Sequence, residues 1–186
     1  MGGREAGDRK TAGDSNPVSR GDRDTCKRGL VEIKPYRGFY VRSFSRSETA
    51  DLYELYKRLQ CFAVELAVPQ MSNRDIRRFE NILIEAVAAL QRSDVKTYAI
   101  RDREFHEAIA EQSRNSALIE ALRQFGLQIQ LCGTISNVNG ECAERTAHGY
   151  GDIIQAFKAR DLPRAAFLVR AHISRAQEAI LAGFPD

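Results

Sequence analysis

The spacing of hydrophobic residues in this 186-residue chain changes near residue 45. Before that point, two short runs at 31–34 and 39–42 alternate apolar and polar side chains on either side of the turn-forming segment 35–38. Alternation on both sides of a turn containing Pro and Gly predicts a β-hairpin.

After residue 45 the apolar residues recur every three or four positions, which is the period of an amphipathic α-helix. Six such stripes follow one another, separated by short segments rich in Ser, Asn, Asp, Gly or Pro. The stripes are Leu52, Leu55, Leu59, Phe62 and Leu66; Ile76, Phe79, Leu83, Val87 and Leu90; Val95, Tyr98, Asp102, Phe105 and Ile109; Leu118, Leu122, Phe125, Ile129 and Cys132; Ala147, Tyr150, Ile154 and Phe157; and Ala165, Leu168, His172, Ala176 and Ile180. The pattern predicts an all-α fold, an antiparallel six-helix bundle preceded by the hairpin.

Charge is distributed unevenly along the chain, although the net charge is only +3. Residues 1–46 carry eleven Lys or Arg against six Asp or Glu, whereas the remaining residues carry seventeen against nineteen. A basic arm ahead of a slightly acidic body suits contact with a polyanion, and we expect residues 1–28 to be disordered. The sequence shows neither a signal region nor a long apolar run, which predicts a cytoplasmic protein that does not enter membranes.

The three histidines each fall within a predicted helix. His106 follows Asp102 by four residues, so both side chains project from one helix face, and Asp102 is central to its apolar stripe. His172 also belongs to a stripe, while His148 lies at the edge of one. A single such histidine is ordinarily a hydrogen-bonded core residue. A set of three with a buried aspartate favours a shared divalent metal, because imidazole and carboxylate are common transition-metal ligands.

Several segments resemble one known family, in the order in which that family has them. Residues 29–41 look like the wing of a winged-helix domain, and residues 51–59 look like a first sensor helix. The D-x-x-F-H motif at 102–106 and the histidine-containing segments 148–156 and 166–172 are similar to the family's later motifs. The chain resembles GntR-superfamily transcriptional regulators of the FadR subfamily, and specifically their ligand-sensing FCD domain.

The resemblance implies a divalent metal, zinc or nickel, and a small organic acid that binds at or near the metal. It also implies a homodimer. By position, the implied metal ligands are Asp102, His106, His148 and His172. We expect Arg123 and Gln128, from the fourth helix, to assist the organic acid. Tyr56 and Gln60 stand where many relatives carry an arginine and a glutamate, which disfavours an effector that needs an arginine for a second carboxylate.

The expected domains are a basic arm with the remnant of a recognition helix at 1–28, a wing hairpin at 29–44 and an FCD effector-binding domain at 45–182. Too few residues precede the hairpin to form the family's complete DNA-reading helices. The hairpin would still offer Lys34, Arg37 and Arg42 to DNA phosphates. We therefore expect DNA binding by this chain to be weak or absent, because phosphate contacts alone are salt-sensitive and indifferent to sequence.

The leading hypothesis is thus a transcriptional regulator that senses a metabolite carboxylate through a metal. One alternative is a dimerisation or scaffold module with a structural metal. A metal-dependent hydrolase is the other alternative, since zinc can activate water. The nearby candidate bases, Glu104 and Glu107, fall off the apolar stripe by helical phase, so we expect no enzyme activity.

Overall fold

The computed structural model describes residues 29–135 and 149–184, with the side chains at 134 and 135 left aside. The chain divides into two compact units, Met1–Arg42 and Ser43–Asp186. The described part of the first unit is the hairpin, and that of the second is helical.

The hairpin pairs β1 (Val31–Lys34) with β2 (Gly38–Val41) in antiparallel register, with Val31 opposite Val41 and Lys34 opposite Gly38. Its turn needs left-handed backbone at Tyr36, with φ of 61°, and at Gly38, with φ of 99°. Glycine adopts such a φ at little cost, which explains why the second strand begins there. The predicted hairpin is confirmed.

Six α-helices lie in the part of the chain that the structure describes. They are α1 (Arg46–Ala67), which continues into a 3₁₀ turn at Val68–Gln70, α2 (Asn73–Gln91), α3 (Val95–Gln112), α4 (Ser116–Ile135), α5 (Tyr150–Ala159) and α6 (Leu162–Leu181). The predicted all-α class is therefore confirmed. Ala147, the first residue of the predicted fifth stripe, lies outside the described residues.

Side-chain caps explain where most of these helices begin. At Ser45, Ser72, Asp94, Asn115 and Asp161, a side-chain oxygen accepts a hydrogen bond from the backbone N–H three residues later. Each cap satisfies a donor that the first helical turn leaves without a partner. These short polar residues therefore separate the helices sharply.

Helix α1 packs against α3, α4 and α6, while α2 packs against α3 and α5, and α5 packs against α6. Phe79 of α2 is central to the core: its ring lies 5.1 Å from that of Phe105 and 5.2 Å from that of Phe157. These ring contacts join α2 to both α3 and α5. Among the described residues, none of the helices has both the length and the apolar character that crossing a membrane requires.

The buried face of α1 differs from the predicted stripe. Leu55 and Phe62 are 46% and 44% exposed, so their placement in the core was wrong. The buried face instead includes polar side chains among apolar ones: Thr49, Leu52, Tyr53, Tyr56, Gln60, Cys61, Ala63, Val64 and Ala67. A pattern that counts only apolar residues cannot find this face. The same error occurs in α2, where Ile82 and Ala86 are buried and Val87 is 39% exposed.

Candidate metal centre

Three predicted metal ligands converge between α3 and α6. Asp102 and His106 are one turn apart on α3, and His172 faces them from α6. One ligand atom from each of the three lies within 4.8 Å of the others. The Nε2 atom of His172 is 3.9 Å from Oδ1 of Asp102. Residues far apart in the sequence therefore form one compact donor set.

Burial differs among the three ligands. His106 and His172 are 6% and 1% exposed, whereas the Asp102 side chain is 32% exposed. Burial lowers the pKa of His106, and the nearby Asp102 carboxylate opposes that shift only in part. His106 is consequently held as a neutral imidazole, the form that binds a metal.

Two tyrosines hold the Asp102 carboxylate. The Tyr150 hydroxyl, at the start of α5, donates to Oδ1 of Asp102. Tyr98 donates to the same oxygen over 3.5 Å, one turn before Asp102 on α3. Burial, followed by the Asp102 charge, raises the pKa of Tyr150 well above its usual value, so the phenol stays protonated and remains a donor. These contacts orient one carboxylate oxygen, as outer partners of metal ligands commonly do.

Helix α1 contributes a second polar pair, which contacts His106. The Gln60 amide nitrogen donates to the Tyr56 hydroxyl over 3.1 Å and to the main-chain oxygen of His106 over 3.2 Å. The Tyr56 ring meets the His106 imidazole edge-on, with centroids 5.9 Å apart. Burial raises the pKa of Tyr56, so this hydroxyl is neutral as well.

The described residues fit a divalent transition metal. Two imidazoles and one carboxylate are ligands that zinc and its neighbours in the periodic table accept. The Nδ1 atom of His106 is buried and has no hydrogen-bond partner among residues 29–135 and 149–184. A buried polar atom without a partner is rare and points to a group that the protein alone does not supply. Asp102, His106 and His172 can therefore hold three positions of a metal.

The other predicted site residues are placed as follows. His148 lies outside the described residues. Gln128 is buried on α4. Arg123 is exposed and forms an ion pair with Glu111 at 3.1 Å. Glu111 also pairs with Arg78, at 2.7 Å. An arginine engaged on the surface is poorly placed to assist a ligand beside His106, but the roles of Arg123 and Gln128 stay predictions.

The candidate bases on α3 are both engaged by arginines. Glu104 pairs with Arg101 and Glu107 pairs with Arg103. Each glutamate is therefore engaged in an ion pair within its own helix. Both ion pairs lie off the apolar stripe of α3, where the helical phase predicts the two glutamates to be.

Sequence reasoning left out four of the polar residues at this site. Tyr56 and Gln60 were noted only as departures from relatives, and Tyr98 and Tyr150 only as apolar-stripe residues. Their spacing offered a signal, since residues 56 and 60 are an i, i+4 pair on the helix that packs against the D-x-x-F-H helix. That signal has meaning only once the packing of α1 on α3 is known.

Comparison with known proteins agrees with this architecture. The FCD domain family matches residues 51–175, which is most of the chain and includes Asp102, His106, His148 and His172. The chain belongs to the FCD domain family. The family resemblance inferred from the motifs is therefore confirmed.

Relatives and solved structures extend the comparison. The HTH-type transcriptional regulator YdhC of Bacillus subtilis (strain 168), itself uncharacterised, is 24% identical over 86% of this chain and 71% of its own length. The structure of E. coli McbR/YncC superposes with a TM-score of 0.80 at 17% identity, covering 86% of this chain and 81% of that one. Streptococcus agalactiae GntR superposes with a TM-score of 0.61 at 21% identity, covering 84% of this chain and 78% of that one. At such identities the structural matches establish a shared fold.

Proposed function

We propose that the chain is a GntR-type transcriptional regulator whose FCD domain senses a small organic acid through a divalent metal. The observation that carries the proposal is the convergence of Asp102, His106 and His172 within 4.8 Å. Family membership and the similarity to an HTH-type regulator supply the regulatory role.

In this proposal His148 is the fourth protein ligand, assigned by its place in the family motif. Four protein ligands leave room on an octahedral metal for a carboxylate or for water. The organic acid would complete the coordination sphere of the metal. If it binds one conformation of the regulator more tightly than the other, its binding shifts the population toward that conformation. Zinc and nickel both accept this donor set.

The hairpin would contribute contacts to DNA through Lys34, Arg37 and Arg42. Lys34 pairs with Glu32 at 3.0 Å, but both side chains are more than 40% exposed. Such surface ion pairs contribute only about 0–1 kcal/mol to stability, so a DNA phosphate can replace Glu32 as the partner of Lys34. Contacts of this kind position a protein on DNA and carry no sequence information.

Metal analysis tests the proposal directly. Protein purified without chelators should contain about one equivalent of divalent metal, and His106→Ala should lose most of it. Glu104→Gln is the matched control, because Glu104 is an acidic residue on the same helix that binds Arg101 instead.

A thermal-shift screen of organic acids should then find a stabiliser whose effect disappears after chelation. Equal metal content in His106→Ala and wild type, or stabilisation that survives chelation, would contradict the proposal.

A further inference from the structure

Gln60 has an unused hydrogen-bond acceptor beside the metal-binding residues. Its side chain is 0% exposed, and its Oε1 atom has no hydrogen-bond partner within the described ranges. Burying a carbonyl oxygen without a donor costs free energy comparable to that of a lost hydrogen bond. A buried acceptor of this kind calls for a water or a ligand that supplies the donor.

The orientation of the Gln60 amide is fixed by its neighbours. The main-chain oxygen of His106 can only accept a hydrogen bond, so the amide nitrogen of Gln60 must face it. The second N–H donates to the Tyr56 hydroxyl. With both hydrogens used, the amide cannot rotate by 180° without placing two acceptors against each other. Gln60 therefore presents an acceptor, and only an acceptor, at its remaining position.

The side chain that carries this acceptor contacts the main chain of a metal-binding residue, His106. The oxygen shares a carbon with the nitrogen that contacts His106, and the partner of Gln60, Tyr56, lies against the His106 ring. In the described contacts, neither the Gln60 amide nor the Tyr56 hydroxyl is hydrogen-bonded to a cationic side chain. A second carboxylate placed here would face a carbonyl oxygen, which repels it, whereas a hydroxyl or amino group would donate to it.

We infer that Gln60 selects, among small organic acids, those that carry a hydrogen-bond donor such as a hydroxyl or amino group. This inference rests on the proposed function, since it assumes that the acid's carboxylate binds at the metal. Gln60 acts as the specificity-determining residue and Tyr56 orients its amide. An acid without the donor leaves the Gln60 oxygen unsatisfied and binds less tightly, because sites built to hydrogen-bond a hydroxyl reject analogues that lack it.

Matched pairs of acids test the inference on the full chain loaded with zinc. The pairs are glycolate and acetate, lactate and propionate, and malate and succinate, with affinities measured by isothermal titration calorimetry. In at least one pair the hydroxy acid should bind at least about tenfold more tightly, which corresponds to one hydrogen bond. In Gln60→Met this ratio should fall to within about twofold while the zinc stoichiometry stays unchanged.

The control variant is Gln70→Leu. Gln70 also links α1 to α3, because its amide donates to the main-chain oxygens of Leu66 and Gln112, yet it makes no contact with His106 in the described structure. Gln70→Leu should therefore keep the wild-type preference. Where Gln60→Met does not fold, Gln60→Asn withdraws the amide by one methylene and should also reduce the ratio.

Two results would overturn the inference while leaving the proposed function intact. One is equal binding within every pair by the wild-type protein. The other is a preference that survives in Gln60→Met, because the hydroxyl would then be bound by the metal or by another residue. If none of the six acids binds the zinc-loaded protein, the proposed function itself fails and the inference fails with it.

Discussion

The ring of Tyr150 lies against the imidazole of His172, with centroids 4.6 Å apart and an interplanar angle of 35°. Because the Tyr150 hydroxyl also donates to Asp102, one side chain on α5 contacts two of the three converging ligands. Residue 150 therefore links the beginning of α5 to the geometry of the site between α3 and α6.

Tyr150→Phe should weaken metal binding without unfolding the bundle. The substitution keeps the buried ring but removes the hydroxyl that orients the Asp102 carboxylate. Loss of such an outer hydrogen bond typically lowers metal affinity by about 10–100-fold. Tyr98→Phe is the control, since Tyr98 reaches the same oxygen over a long 3.5 Å, and we expect a smaller change there. Competition with a chromophoric chelator measures both affinities, and equal effects of the two substitutions would contradict the assigned role of Tyr150.

The metal-free protein should lose stability as the pH falls below neutrality. Burial lowers the pKa of His106 from its ordinary value of 6.5, so the unfolded chain takes up a proton there before the folded chain does. The stability that neutral, buried His106 contributes is fully present above about pH 6.5, and it is lost as the pH falls toward the pKa of His106 in the folded protein. Urea unfolding of chelated wild type and His106→Gln between about pH 8 and pH 5 isolates this contribution. If the difference in unfolding free energy between the two proteins does not change with pH, the buried neutral histidine is ruled out.

Helix α4 approaches Tyr56 where it carries Gly126. A Cβ atom at Gly126 would lie 3.6 Å from the Tyr56 hydroxyl, which is ordinary van der Waals contact. Gly126→Ala should therefore stabilise the protein by up to about 1 kcal/mol, because alanine is the better helix former. Gly126→Leu should instead displace Tyr56 and destabilise the protein. Gly133→Ala is the control, because it makes the same change on the same helix but its Cβ would meet Ile180 instead of Tyr56. Thermal unfolding compares the three variants. A stabilising Gly126→Leu would show that α4 does not press on Tyr56.

Much of the fold was predictable because its boundaries are encoded locally. Ser72 and Asp94 cap helices through contacts within one turn, and the 35–38 turn is made by left-handed backbone at two of its own residues. The D-x-x-x-H spacing of Asp102 and His106 is equally local, since four residues along a helix fix a shared face.

The remaining features depend on packing between distant segments. Gln60 is buried because α1 lies against α3, and nothing in the sequence around residue 60 marks its amide as a partner of the His106 main chain. Leu55 and Phe62 were assigned to the core for the complementary reason: they are apolar, but α1 turns another face toward its neighbours. Hydrophobic periodicity predicts that a face exists and does not predict which polar residues share it.

The hairpin supplies the final prediction, on DNA binding. Replacing Lys34, Arg37 and Arg42 by alanine should weaken binding equally on a promoter fragment and on a random duplex, because phosphate contacts do not read bases. Each lost contact lowers the slope of log affinity against log salt by about 0.9, so the combined variant should show a slope reduced by about two to three. Alanine at three exposed cations of the helical unit, Arg74, Arg92 and Lys96, is the charge-matched control and should leave the slope unchanged. Fluorescence anisotropy across a salt series measures both slopes. A loss confined to one promoter sequence would mean that the hairpin reads bases, and a loss equal in both variants would mean that only net charge attracts the DNA.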